Sequence, residues 1–339
     1  MTYNMKEWVD NLISTPPKKA IPVLSFPAIQ LLGISVKDLI SDSEAQAKGM
    51  LAIAERYQSG AAVSMMDLSV EAECFGAGIE VLDSEIPRIV GPIISSMEDA
   101  EKLQIPDVGV ARSGIYIEAI QKVANRLNDR PVFAGTIGPF SLAGRLMDMS
   151  KIMLNCRRNP EMVKLLVEKS TAFLIDYIKA YKAAGANGVV IAEPAAGLLS
   201  PKMMKQFSCE YCKKIVDAVQ DDEFIVIYHN CGASTSSAIP EIVEIGAAGV
   251  HLGDAVKIED MIEQFPETML VMGNISPSAC FLNGTPELMK NETQYLLNIC
   301  GKYPNFVISS GCDIPPTAPL ENIDAFFDAV SLHYNYASN

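Results

Sequence analysis

His229 and Cys231 stand two residues apart in Tyr228-His229-Asn230-Cys231-Gly232, at the end of an apolar run over 224–228. Cys312 lies between Gly311 and Asp313, just past a second such run at 306–310. In an extended chain, side chains at i and i+2 share a face, so His229 and Cys231 point the same way. If both runs are strands of one closed sheet, the 81-residue separation of Cys231 and Cys312 collapses in space. One imidazole and two thiolates suit Zn²⁺, and three protein ligands leave a fourth position open, as in catalytic rather than structural sites. The competing reading is three ordinary buried residues, because free cysteine is among the most buried types.

Other groups fall at the ends of neighbouring apolar runs. Glu193, in Ile-Ala-Glu-Pro-Ala-Ala-Gly, reads as a fourth ligand, a partner orienting His229, a base for an incoming thiol, or a capping carboxylate. His251 and Asp254 follow the next run but one, and the same alternatives of ligand or satisfied core histidine hold for His251. Asp254 sits in a Gly-Asp pair typical of turns. Asp67, Glu71 and Glu73 form an acidic cluster that either meets a ligand or caps a first helical turn. Asn274, in Gly-Asn-Ile-Ser, is a polar contact for substrate or cofactor. Arg145 is either a contact for an anionic head group or exposed surface. Cys209 and Cys212 form C-x-x-C, but within a predicted helix and away from its N-terminus, so they read as one core and one surface residue rather than a redox pair. His333, near the C-terminus, reads as exposed.

The elements that must position these residues recur along the chain. Strands are expected at 21–26, 62–67, 131–136, 188–193, 224–229, 248–252, 269–273 and 306–310, several apolar on both sides as strands covered by helices should be. Helical patterns lie between them, as at 161–184 after Asn159-Pro160 and from Ser200-Pro201 onward. Eight strands with helical crossovers imply the α/β class and a single (β/α)8 TIM barrel. The chain is then one domain over 1–339, a helical extension at 1–20 with the barrel at 21–339. In such a barrel the loops after the strands share one mouth, where all of the groups above would meet.

Composition bounds the function. The 339 residues are 49% hydrophobic and 20% charged, which supports a large core and excludes a disordered or low-complexity chain. With Lys+Arg 27 against Asp+Glu 41 the net charge is −14, and all eight arginines lie at or before position 158, so a nucleic-acid surface is not expected. No apolar run approaches the roughly 20 residues of a membrane span. The N-terminus lacks a signal-like basic and apolar pair. The expectation is a soluble cytoplasmic protein.

Five stretches carry a family resemblance: 66–79 (MDLSVEAECFGAGI), 135–147 (GTIGPFSLAGRLM), 229–232 (HNCG), 273–289 (GNISPSACFLNGTPELM) and 308–326 (ISSGCDIPPTAPLENIDAF). They resemble the uroporphyrinogen decarboxylase superfamily, in particular its cobalamin-dependent, zinc-containing methyltransferases such as the methylcobamide:coenzyme M enzymes. The resemblance implies an α/β barrel and zinc held by His229, Cys231 and Cys312. It implies a methyl group passed from a corrinoid, carried on a partner protein, to a small thiol such as coenzyme M or an analogue. On this reading Glu193 and Asp254 are the candidate catalytic groups, and Asp67, Glu71 and Asn274 the candidate corrinoid contacts. Two alternatives stand beside it: a metal-free decarboxylase, and a non-catalytic module that binds the corrinoid protein. The decarboxylases carry an arginine-rich segment after the first strand, whereas this chain has neither Arg nor Lys from 20 to 36.

Overall fold

A computed structural model of the chain describes residues 3–335. Numbered in chain order, the strands are β1 (Ala62–Val63), β2 (Gly78–Glu80), β3 (Arg88–Val90), β4 (Val132–Ile137), β5 (Gly188–Ala192), β6 (Ile225–Asn230), β7 (Gly249–Leu252), β8 (Leu270–Ile275) and β9 (Phe306–Ser310). β2 and β3 form a small antiparallel hairpin within the long connection after β1. The other seven make one parallel sheet in the order β1-β4-β5-β6-β7-β8-β9. β4, β5, β6, β7 and β9 are buried along their whole length, which is why both alternating sets of residues in them are apolar or small, apart from His229 and Asn230 at the end of β6 and His251 in β7.

Seven of the eight expected strands are present, and the first departs from expectation for a local reason. Residues 20–25 are extended but make no regular ladder. Pro22 has no N–H to donate, and side chains take over the missing bonds. The Ile21 N–H still donates to the Ile308 carbonyl at 3.1 Å, while the Val23 N–H donates to Ser310 Oγ at 3.1 Å and Ser309 Oγ donates to the Ile21 carbonyl at 2.8 Å. On the opposite side the Gly60 N–H donates to the Ala20 carbonyl at 2.8 Å, and Ser25 Oγ donates to the Val63 carbonyl at 2.5 Å. The segment therefore bridges β9 and β1 and completes the barrel as an irregular eighth stave. β1 shortens from the expected 62–67 for the same reason. Past Val63, Ser64 Oγ accepts from the Gly135 N–H at 2.8 Å and Asp313 accepts from the Met66 N–H at 2.8 Å.

Two apolar cores result. One lies inside the barrel, where Val23, Val63, Phe133, Val190, Ile227, Leu270, Met272 and Val307 meet Met5 and Val9 of the Met5–Ser14 helix. That helix, capped by Asn4 Oδ1 accepting from the Glu7 N–H at 3.0 Å, closes the end of the barrel opposite the mouth. The second core lies between the sheet and the outer helices. The Pro160–Ala183 helix supplies Phe173, Leu174, Tyr177 and Ile178, all fully buried, and each such side chain stabilises by roughly 2–3 kcal/mol before entropy is counted.

Three local expectations are corrected. The helix expected from Ser200 runs as Pro201–Met204, a wider π-type turn at Lys205–Cys209, and Glu210–Val219, and the Ser200 side chain caps nothing. Cys209 and Cys212 are both core, because that helix presses the face carrying them inward. His333 is half-buried in the last turn of the Leu320–Tyr334 helix, edge-on to Tyr334. Among the described residues, no helix is long and apolar enough to cross a membrane.

Candidate active site

The period of two along each strand decides what enters the barrel. In β6 the inward residues are Ile225 and Ile227, and the next inward position is His229. In β9 Val307 faces in, and Ser309 follows it two residues later. His251 of β7, aligned in register with His229, also lines the interior. A polar layer of His229, His251 and Ser309 therefore sits on the apolar one, at the mouth end.

The backbone leaves that layer at Cys231 and Cys312. The ligand atoms of His229, Cys231 and Cys312 all lie within 4.8 Å of one another, and among the described residues no other His, Cys, Asp or Glu group forms such a cluster. His229 is 3% exposed; its Nδ1 is 3.0 Å from the His251 carbonyl and 2.7 Å from His251 Nδ1, while its Nε2 is buried with no hydrogen-bond partner. A lone buried imidazole nitrogen beside two thiols is the donor set of a soft-to-borderline metal site, so the residues present fit zinc. As donor to Cys312, and through burial, Cys231 is pushed up to about 12, whereas Cys312, as acceptor, is held below the usual thiol range. The loop after Cys231 turns tightly because Gly232 lies against the Gly197 backbone, where a Cβ on either residue would overlap the other chain segment.

Glu193, at the end of β5, is fully buried and does not join this cluster. Its Oε1 accepts from the Phe140 N–H at 2.8 Å and the Ser141 N–H at 3.4 Å, and its Oε2 accepts from Ser141 Oγ at 3.2 Å. The carboxyl thus occupies the N-terminus of the Pro139–Met147 helix, filling the space a side chain at Gly138 would need. Burial raises it to about 7 against the pull of those N–H groups. His251 likewise has no ring nitrogen to spare: Nδ1 meets His229 and Nε2 meets Ser309 Oγ at 2.8 Å. Burial, then the neighbouring His229, holds His251 neutral.

The acidic cluster after β1 divides in two. Asp67 accepts from Tyr116 Oη at 2.7 Å and pairs with Arg112, which also reaches Glu73 at 2.7 Å and Ser69 Oγ at 2.8 Å. Arg112 was not foreseen, and no local pattern marks it, since its partners are 39 to 45 residues away. Glu71 turns the other way: Oε1 accepts from Thr136 Oγ1 at 2.6 Å and the Ile137 N–H at 3.1 Å, and the buried Oε2 has no partner. Burial lifts Glu71 to about 7. Asp313 behaves alike, with Oδ1 buried and unpartnered and its carboxyl raised to about 8 by burial.

On the rim beyond Cys312, Asn274 Nδ2 donates to the Gly253 and Val256 carbonyls at 2.9 and 2.8 Å, holding the loop that carries the exposed Asp254. Both residues line a cavity of about 370 Å³ with Lys257, Ser276 and Tyr295. Arg145 is half-buried rather than surface, and with Arg88 it lines a second cavity of about 390 Å³.

The chain is 28% identical over 274 residues to the "Methylcobamide:CoM methyltransferase MtbA" of Methanosarcina acetivorans, covering 80% of this chain and 78% of that protein. It is also 28% identical over 289 residues to a uroporphyrinogen decarboxylase of Pseudomonas putida, covering 81% and 79%. The solved structure of a methyltransferase from Methanosarcina mazei superposes with a TM-score of 0.86 at 24% identity, over 98% of this chain and 99% of that one, and so shares its fold. The model of the uroporphyrinogen decarboxylase (URO-D) family matches residues 6–333, and the chain belongs to that family.

Proposed function

We propose that the chain moves a methyl group from a methyl-Co(III) corrinoid to a small thiol, with His229, Cys231 and Cys312 holding a zinc ion at the barrel mouth. The observation that carries this reading is the cluster of three soft donors around an unpartnered, buried His229 Nε2. The name of the Methanosarcina acetivorans relative supports the same reaction class. The bare scaffold of a metal-free decarboxylase would leave those three residues without a task, and the absence of basic side chains from 20 to 36 disfavours a polyacid substrate.

Zinc, when bound, supplies a Lewis acid that keeps the acceptor sulfur deprotonated near neutral pH, where a free thiol near 8.5 is mostly protonated. The protein's own residues do the rest. His229 would present the lone pair of its Nε2, and Cys231 and Cys312 would bind as thiolates, having given up their protons. Glu193 fixes the Pro139–Met147 helix at the mouth, so its part is positioning rather than contact. Asn274 holds the loop that sets the exposed Asp254 beside Gly311, next to Cys312, and these two are proposed to face the reactants from that side. Glu71, whose Oε2 is buried, would act through Thr136 and β4 rather than by contact. The thiolate forms the new S–CH₃ bond as the Co–C bond breaks, and cobalt leaves with the electron pair as Co(I). Coenzyme M or an analogue is the proposed acceptor, and a corrinoid protein the proposed donor.

Metal analysis of the purified chain beside Cys312→Ser, with methylcobalamin demethylation assayed with and without added thiol, tests this. About one zinc per chain and thiol-dependent demethylation are expected, both lost in the variant. A wild-type chain without zinc, or a variant retaining zinc and turnover, overturns it.

A further inference from the structure

We propose that His251 and Ser309 form a one-way hydrogen-bond relay that fixes which nitrogen of His229 carries its proton, making His251 a positioning residue for the metal site. The direction of the relay follows from its two ends. At one end is the Ile21 carbonyl, which has no proton, so Ser309 Oγ must donate to it across 2.8 Å. A hydroxyl has a single proton, so at its other contact, 2.8 Å from His251 Nε2, the Ser309 oxygen accepts and His251 carries its proton on Nε2. His251 Nδ1 is then a lone pair, and across 2.7 Å it requires a proton on His229 Nδ1. At the other end the His251 carbonyl, 3.0 Å from the same Nδ1, makes the same demand independently.

The opposite direction fails at both ends. It would place His229 Nδ1 as a lone pair against a carbonyl oxygen, and it would leave the buried Ile21 carbonyl without its donor. Only one arrangement satisfies all four groups, and it leaves His229 Nε2 bare, facing Cys231 and Cys312. A free imidazole would be divided between two tautomers, only one of them competent to ligate through Nε2. The relay removes that choice before any metal arrives. It also takes both ring nitrogens of His251, which excludes His251 as a ligand. The relay begins on the irregular stave, so the proton that helps to close the barrel also orders the site.

This inference rests on reading His229 as a zinc ligand, and its test separates the two. The full chain has three histidines, so ¹⁵N-histidine labelling with His333→Ala for assignment resolves the remaining two rings. In the metal-stripped protein at mildly alkaline pH, long-range ¹H–¹⁵N spectra should show His229 protonated on Nδ1 and His251 on Nε2. Added zinc should shift His229 Nε2 and leave the tautomer of His251 unchanged. Ser309→Ala should weaken zinc binding, measured by chelator competition, by about tenfold or more, the usual cost of losing an outer partner of a metal-bound histidine. Ser310→Ala is the control: it loses a comparable stave bond, from the Val23 N–H, outside the relay, and should bind zinc like the parent. His229 protonated on Nε2 in the metal-free protein overturns the relay, as does equal loss of affinity in the two serine variants. A chain that shows the expected tautomers but binds no zinc overturns the zinc reading alone.

Discussion

At Glu71, burial and hydrogen bonding pull in opposite directions, and burial wins. Thr136 and the Ile137 N–H serve one oxygen, the other has no partner, and the group titrates near 7 instead of its usual 4.5. Because the folded-state value is the higher one, Glu71 favours folding fully below about pH 4.5. As pH rises, the unfolded chain releases this proton first, and the contribution is gone once the folded pKa near 7 is passed. The shift corresponds to at most about 3 kcal/mol. Urea unfolding should therefore show lower stability at pH 8 than at pH 5, and Glu71→Gln, which cannot ionise, should narrow the gap. An unchanged gap in the variant would mean that other groups govern this window. The residue types were readable in the sequence here, but their states were not. His229, Cys231 and Cys312 announced themselves by spacing, whereas Glu71 was expected to meet a ligand and its bonded oxygen is committed to β4.

Arg112 decides the arrangement of several elements at once. It stands at the start of the Ser113–Ala124 helix and ties it to Asp67 after β1 and to Glu73 on the short Val70–Cys74 helix. With the Arg112 side chain 10% exposed and that of Asp67 fully buried, removing the cation leaves an uncompensated charge in the interior. Arg112→Met should cost about 3–5 kcal/mol of stability. Adding Asp67→Asn should then cost much less than it does alone, because the two residues belong to one network. Additive losses in that double-mutant cycle would show that the pair is not coupled. Nothing in the sequence around Arg112 foretold this, because the pairing depends on how the long connection after β1 folds back. Strands were legible for the opposite reason: β4, β5, β6 and β9 each open on a run of apolar residues whose burial is written locally. The first stave is expected from the sequence as a regular strand at 21–26, and Pro22 with the Ser309–Ser310 pair explains why its bonds pass through side chains instead.

Over the whole molecule, the barrel reads as a stack of layers along its axis. The Met5–Ser14 helix lies at the bottom, apolar side chains fill the middle, the layer of His229, His251 and Ser309 caps them, and the two cysteines open onto the mouth. The bottom layer was expected only as a helical extension. Its packing role was hidden because Met5 and Val9 meet residues from strands spread over nearly the entire chain. The same packing makes the helix a sensor of the barrel. Trp8, the single tryptophan, packs half-buried on the interior cluster with its ring 5.9 Å from that of Phe133. Since Val23, Val63, Val190, Ile227, Leu270 and Val307 belong to six different staves, the helix cannot keep its apolar face covered once any part of the ring opens. Releasing the helix, in turn, exposes the ends of those same side chains to water. The two events are therefore one, and urea unfolding followed by Trp8 fluorescence should coincide with that followed by far-ultraviolet circular dichroism. A Trp8 transition completed at lower urea would show that the helix detaches as a separate unit, and that the barrel stands without its bottom layer.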